Sequence, residues 1–395
     1  MVLYSEKSTI RLDGKTAVIT GCNTGIGKET AKDLYKRGAC VVMACRNVEK
    51  AEEAAKDITD SCKEFDGVGK LAVVELNLCS LKSVKDCSNE LLQKYERIDL
   101  LINNAGVFVC PFEKTEDGFE IQFGTNHLAH FYLTLLLLPT IIKSTPARVI
   151  NVSSSLHGGN MEFDDLNWEK RNYSSMNAYQ QSKQANILFT KELNRQLKEA
   201  NIEGVTVYTL HPGVVATDIQ RHVGTTYGKA VAWMFQGMRK YIFKTPIQGA
   251  QTTIYCAIDE KSGQESGLYY ADCKPSRPSS KAENMDVAKK LWDYESCVLK
   301  LVRQAAYISR DQIKFILQRV FNLDKMVLYS EKSTIRLDGK TAVITGCNTG
   351  IGKETAKDLY KRETLLSIYL SQQTHVIQRL QMTLKWFSKL MLLLC

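Results

Sequence analysis

Short, nearly continuous apolar runs alternate along the first three hundred residues with longer segments whose apolar positions recur every three or four residues. Thr16-Ala17-Val18-Ile19, Cys40 to Ala44, Leu71 to Leu76, Leu100 to Asn103, Val149 to Val152 and Val205 to Leu210 read as strands buried on both faces. Between them lie helix-periodic stretches such as Lys28 to Arg37, followed by Gly38 as a C-terminal cap, and a charged segment through Lys50 and Lys56. This alternation predicts an α/β fold, an open parallel sheet wound on both faces, and right-handed crossovers put the loops after the strands on one ligand-binding edge. A short strand at Leu268-Tyr269-Tyr270 and a segment with Trp292 and Tyr294 close the pattern, so the predicted domain spans 11 to 301, with 302 to 325 as a linker or added helix.

Residues 326 to 362 repeat residues 1 to 37 without one change, including a second glycine loop from Thr345 to Gly352. Complete identity points to a recent tandem duplication or a gene-fusion artefact, since a repeated structural module drifts at its surface. The copy stops at Arg362, and nothing after it matches the strand Cys40-Val41-Val42-Met43. A lone strand-loop-helix cannot cover both faces of a parallel strand, so the second loop is read as non-binding and residues 363 to 395 as a tail of unknown structure.

Composition narrows the class. With 395 residues, 44% of them hydrophobic, the chain can bury a large core. The net charge is +9, but residues 301 to 395 hold 15 Lys/Arg against 7 Asp/Glu, leaving 37 against 36 in residues 1 to 300, so the body carries no nucleic-acid footprint. Twelve cysteines without a Cys-x-x-Cys, and an N-terminus without the apolar core of a secretory signal, point to a reducing, cytoplasmic compartment. The longest apolar run, Phe131 to Ile142, contains Pro139 and is too short to span a membrane. Peripheral contact of the basic tail with an intracellular membrane stays open, as does a homodimer.

Gly21, Gly25 and Gly27 sit between the first strand and its helix, where glycine lets the backbone turn sharply and approach a pyrophosphate while the helix N-terminus offers free N–H groups. The spacing is not Gly-x-Gly-x-x-Gly. Tyr179 and Lys183 lie one helical turn apart on one face. Seventeen tyrosines yield about one or two Tyr-x-x-x-Lys matches by chance, and Tyr270 with Lys274 is such a match. Only Tyr179 opens a helix-periodic stretch, through Ala185, Ile187, Leu188, Phe189 and Leu193. His127 and His130 lack a third ligand at metal-binding spacing and read as ordinary helical histidines. From 214 to 245, apolar residues including Val214, Trp233, Phe235 and Phe243 read equally as a lid over an apolar substrate or as core.

The loop Thr20-Gly21 through Gly25-Ile26-Gly27, the run Asn103-Asn104-Ala105-Gly106, Ser154, Tyr179 with Lys183, and His211-Pro212-Gly213 together resemble the short-chain dehydrogenase/reductase family over residues 11 to 300. Gly25 to Thr30, Ala44-Cys45-Arg46-Asn47, Asn126 to Phe131 and Ser182 to Phe189 resemble its retinol dehydrogenase branch. The resemblance implies a Rossmann-like doubly wound sheet and a nicotinamide-dependent oxidoreductase of small apolar carbonyls or alcohols, with retinal and retinol as substrates. Tyr179 is then the general acid/base, its phenol made more acidic by the Lys183 ammonium. Lys183 also binds the cofactor ribose, Ser154 donates to the substrate oxygen with Ser153 and Ser155 as rivals, and Asn126 supports a water-linked proton relay, or else bonds backbone. Cofactor contacts fall to Gly21, Asn23, Thr24, Gly25, Ile26, Gly27, Arg46, Asn47, Asn77, Leu78, Asn103, Ala105, Gly106, Tyr179, Lys183, Pro212, Gly213, Val215 and Thr217. Arg46 after the second strand, with no carboxylate there, favours NADP(H), while Asn77-Leu78 replaces the family's common Asp-Leu. Reduction of steroids, lipid aldehydes or xenobiotic carbonyls, and a non-catalytic NADP(H)-binding scaffold, are the competing readings.

Overall fold

The computed structural model describes residues 3–215, 226, 243–305, 341–345 and 365–369. Its contacts divide the chain into two compact units, Met1–Asn322 and Leu323–Cys395.

In the larger unit, the apolar runs become β1 (Thr16–Thr20), β2 (Cys40–Cys45), β3 (Lys70–Glu75), β4 (Leu100–Asn103), β5 (Ala147–Val152), β6 (Val205–His211) and β7 (Leu268–Ala271), with β8 (Lys274–Ser276) at the edge. The sheet order is β3-β2-β1-β4-β5-β6-β7-β8, and only β8 is antiparallel to its neighbour. Alternate side chains of the central strands enter opposite cores. Val18, Val42, Leu101, Val149 and Val207 face one side, and Ala17, Ile19, Val41, Met43, Ile102 and Tyr208 the other. Burial on both faces is why these strands read as unbroken apolar runs rather than as alternating ones.

Helices α1 (Tyr4–Lys7), α2 (Gly25–Lys36), α3 (Val48–Asp60), α4 (Leu81–Lys94), α5 (Ile121–Phe123), α6 (Ala129–Lys143), α7 (Ser175–Glu199), α8 (Pro246–Ile258), α9 (Glu260–Gly263) and α10 (Met285–Ala305) supply the two outer layers. Helix α2 buries Gly27, Thr30, Ala31, Leu34 and Tyr35, the stripe its spacing predicts. Gly38, at φ +94°, ends it as predicted: its N–H donates to the Tyr35 carbonyl at 3.0 Å and that of Ala39 to Leu34 at 3.1 Å, the paired bonds of a left-handed helix stop. Between α5 and α6 the helix widens into a π turn, Gly124–Leu128, that carries Asn126. Such turns often mark functional sites. Because β4 rather than β3 follows β1 in the sheet, the loops after β1 and β4 diverge and leave a crevice between them.

Helix α10 continues through Leu301 to Ala305. In the smaller unit the copied strand Thr341–Thr345 does gain a partner: Leu365–Tyr369 pairs with it in parallel, Thr341 opposite Leu365, at the same offset as Thr16 opposite Cys40. The unmatched tail is apolar enough there to supply the missing strand. The second glycine loop, 346–352, lies outside the described residues.

Asp99 ties β1, β4 and β5 together at the edge opposite the crevice. Its carboxylate, 2% exposed, accepts from the Thr16 N–H and from Lys15 Nζ, both at 3.0 Å, and from Arg97 Nη2 at 2.8 Å. Burial pushes this carboxyl up, but those donors outweigh burial and hold it below the ordinary carboxylate value. Asp99→Ala is expected to cost about 2 kcal/mol, the range for stranding charged hydrogen-bond partners, read as a lower denaturation midpoint. Because the folded value is depressed, the Asp99 contribution is present above the unfolded carboxylate pKa and lost on acidification through the folded one. The gap between wild type and variant therefore closes at low pH.

Candidate active site

The carboxyl ends of the parallel strands open onto a cleft of about 840 Å³. The turn after β1 forms one wall. A Cβ on Gly21, whose φ is +61°, would lie 2.7 Å from Ala105 Cβ, and one on Gly27 would lie 2.5 Å from Asn104 Nδ2 and 2.6 Å from the Gly21 carbonyl. The glycines thus admit the β4 loop against the turn and leave backbone N–H groups and the start of α2 facing the cleft, a cradle that fits a dinucleotide pyrophosphate. Asn104 locks it: Nδ2 donates to the carbonyls of Thr20 at 2.9 Å and Gly21 at 3.1 Å. Thr20 Oγ1 accepts the N–H groups of Asn104 and Ala105, both at 3.0 Å, and meets His130 Nε2 at 2.9 Å.

On the cleft floor, α7 presents Tyr179 and Lys183, 6% and 2% exposed, with Lys183 Nζ 5.7 Å from the phenol ring centre. Lys183 Nζ donates to the Val152 carbonyl at 3.1 Å. Ser154 lines the cleft with Tyr179 and favours its ionised phenol. Its rivals are otherwise placed: the Ser153 hydroxyl donates to the Lys183 carbonyl at 2.6 Å, and Ser155 is exposed. The predicted acidification of the phenol is reversed here. Burial pushes Tyr179 up to about 12 against the Ser154 hydroxyl, and pushes the Lys183 ammonium down to about 8. Both groups are drawn toward their neutral forms because removal from water outweighs a cation held beyond hydrogen-bonding distance.

Residues 15–228 match the family model for short chain dehydrogenases. Human retinol dehydrogenase 14 is 45% identical over 302 residues, spanning 74% of this chain and 88% of its own. The chain belongs to the short chain dehydrogenase family. Human retinol dehydrogenase 13 is also 45% identical, over 73% of this chain and 84% of its own, which puts the oxidoreductase in the retinol dehydrogenase branch. Among solved structures, an uncharacterised Mycobacterium paratuberculosis protein matches with TM-score 0.59 at 33% identity, over 76% of this chain and 98% of its own. L-sorbose reductase of Gluconobacter frateurii, solved with NADPH and L-sorbose, shares the fold at TM-score 0.51 and 19% identity, over 67% of this chain and 96% of its own.

Against this short chain dehydrogenase frame, every predicted cofactor residue lines the cleft except two. Thr217 lies outside the described residues, as does most of the 214 to 245 segment. Asn103 is a correction: strand alternation turns it into the core, where Nδ2 donates to Thr134 Oγ1 at 2.9 Å and Asn151 Oδ1 at 2.8 Å, and its neighbour Asn104 takes the wall. The Asn126 amide exchanges hydrogen bonds with the Val107 backbone, at 2.7 and 2.9 Å, and donates to Ser182 at 3.0 Å, the backbone-bonding role left open by the sequence. Tyr270 is buried in β7 and Lys274 exposed on β8, so the chance pair forms no site. No metal-binding group occurs among the described residues. Thr20, Asn104 and His130 escape sequence reading because their work is to hold loops; the one visible signal was the polar pair Asn103-Asn104 closing an apolar strand.

Gly21→Ala is expected to weaken nicotinamide dinucleotide binding by tenfold or more, about 1.4 kcal/mol, with the fold retained. Fluorescence titration of the cofactor checks it; unchanged affinity would remove the glycine turn from the binding site.

Proposed function

We propose that this short chain dehydrogenase reduces apolar carbonyls with NADPH, with retinal and retinol as the first substrate pair to test. The observation that carries the reading is the buried Ser154, Tyr179 and Lys183 group beside the glycine cradle. When bound, the nicotinamide supplies the hydride. Tyr179 supplies the proton, since its phenol is protonated at neutral pH and can donate to a carbonyl oxygen. Ser154 hydrogen-bonds the same oxygen as charge gathers on it. Lys183, near 8, stays mostly cationic at pH 7 and stabilises the phenolate left behind.

Arg46 supports NADP(H). It is exposed at the cleft after β2, without an ion-pair partner among the described residues, and its guanidinium suits a ribose 2′-phosphate where a carboxylate would suit the free hydroxyl. The apolar surroundings support the substrate class. Phe108 packs edge-on to Tyr179 at 4.6 Å, and Leu156 and Val214, close in sequence to Ser154 and Gly213, are 38% and 51% exposed. The relatives' names supply retinol, whose dehydrogenation product, retinal, is the first carbonyl to test.

The test is NADPH oxidation with all-trans-retinal and a panel of shorter aldehydes. Tyr179→Phe is expected to lower kcat about 10²- to 10⁴-fold, the usual worth of a general acid, and Arg46→Glu to shift preference from NADPH toward NADH. Equal rates in Tyr179→Phe would remove the tyrosine from the chemistry, and cofactor binding without turnover on any carbonyl would favour a scaffold. Since the reaction needs charged Lys183, the rate should hold below about pH 8 and fall above it as the ammonium deprotonates; a rate rising through pH 9 would contradict this role.

A further inference from the structure

Behind Lys183, away from the cleft, a line of buried polar side chains reaches helix α10. Lys183 Nζ donates to the Val152 carbonyl, and Asn186 Nδ2 lies 3.2 Å from that same carbonyl and 3.2 Å from the main-chain carbonyl of Asn126. Both carbonyls only accept, so the amide gives one N–H to each, and Asn186 Oδ1 is left as an acceptor. It faces His127 Nδ1 at 2.9 Å, which therefore carries a proton. His127 Nε2 meets the carboxyl group of Glu295, on α10. With Nδ1 protonated, a single proton serves Nε2 and the Glu295 oxygen together.

The surroundings leave this line no alternative partners. His127, Asn186 and Glu295 are each 0–2% exposed. The His127 ring is walled by Phe123, Phe131 and Phe189 at centroid distances of 5.3, 6.4 and 6.1 Å. Trp292, one turn before Glu295, seals α10 against Phe131 at 5.1 Å. Burial pushes the Glu295 carboxyl up, and the histidine opposes that. In so dry a site, a polar atom that loses its partner has no water to replace it.

We propose that Glu295, acting through His127 and Asn186, is a positioning residue for Lys183, so that helix α10 completes the active site. Without Glu295, nothing holds the His127 ring with Nδ1–H toward Asn186, and the amide is free to turn its oxygen against the Val152 and Asn126 carbonyls. The carbonyl that anchors the Lys183 ammonium then moves. The proposal rests on Lys183 acting in the cleft as described above.

The experiment compares full-length Glu295→Leu, Glu295→Gln and Asn186→Asp. Glu295→Leu and Asn186→Asp, the latter near-isosteric but without the two N–H donors, should lower kcat for carbonyl reduction about 10- to 100-fold, the effect of losing a partner that orients a functional group, while KM for the carbonyl changes little. Glu295→Gln should restore kcat, because its amide N–H donates to His127 Nε2. In the cofactor-free protein, the Lys183 ¹³Cε resonance should move in the first two variants and not in the third. Equal losses in Glu295→Leu and Glu295→Gln, or wild-type kcat and an unmoved resonance in Asn186→Asp, would overturn the proposal, and Asn186→Asp decides alone if Glu295→Leu does not fold. Should the wild type turn over no carbonyl, the functional reading fails separately, and the Lys183 resonance still decides the positioning role.

Discussion

The cleft depends on one hydroxyl, that of Thr20 at the end of β1. Its oxygen accepts the N–H groups of Asn104 and Ala105, and its proton has one destination, His130 Nε2. That direction is forced, because His130 Nδ1 lies 3.0 Å from the Asn126 carbonyl and so must be the protonated nitrogen. Burial pushes the His130 pKa down to about 3, which keeps the ring neutral and the tautomer fixed at any working pH. Three segments distant in sequence, the glycine turn, the β4 loop and the π turn, are thereby held in one register. The dinucleotide cradle and the Asn126 backbone belong to a single hydrogen-bonded unit.

The same dryness that makes this lock rigid sets the chemistry beside it. An exposed Tyr/Lys pair would titrate near the values of free side chains. Here both groups are drawn toward neutrality, the phenol up and the ammonium down, so that at pH 7 the phenol keeps its proton beside an ammonium that is still mostly charged. Any negative charge that arrives nearby favours the ammonium.

Much of this was legible in the sequence, for identifiable reasons. Strands buried on both faces announce themselves as apolar runs, and β1 through β6 appear within two residues of where Thr16, Cys40, Leu71, Leu100, Val149 and Val205 begin them. Glycines that a Cβ would drive into Ala105 or Asn104 stand out for the same steric reason. Asn103 misled because a strand of period two sends adjacent side chains to opposite faces, and no pattern in Asn103-Asn104 says which one meets the ligand. The histidines misled differently. His127 and His130 read from the sequence as ordinary helical histidines, and their partners Glu295 and Thr20 lie 168 and 110 residues away, a separation that local spacing cannot bridge. The phenol's shift was missed because charge proximity is visible in a Tyr-x-x-x-Lys spacing while desolvation is a property of the packed cleft.

The copied segment repeats in sequence the stretch that opens the larger unit. Residues 326 to 362 match residues 1 to 37 throughout, and Leu365–Tyr369 pairs in parallel with the copied strand at the original offset. What the copy lacks is everything that comes after residue 37 in the original: no Asn104 to clamp the turn, no Ala105 to fill the space below it, no His130 to take the threonine proton. In the larger unit those residues arrive on β4 and the helix beyond it, and it is the break in strand order between β1 and β4 that opens the crevice at all. The glycine loop is therefore one wall of the site, and its binding geometry is a property of the sheet that carries it.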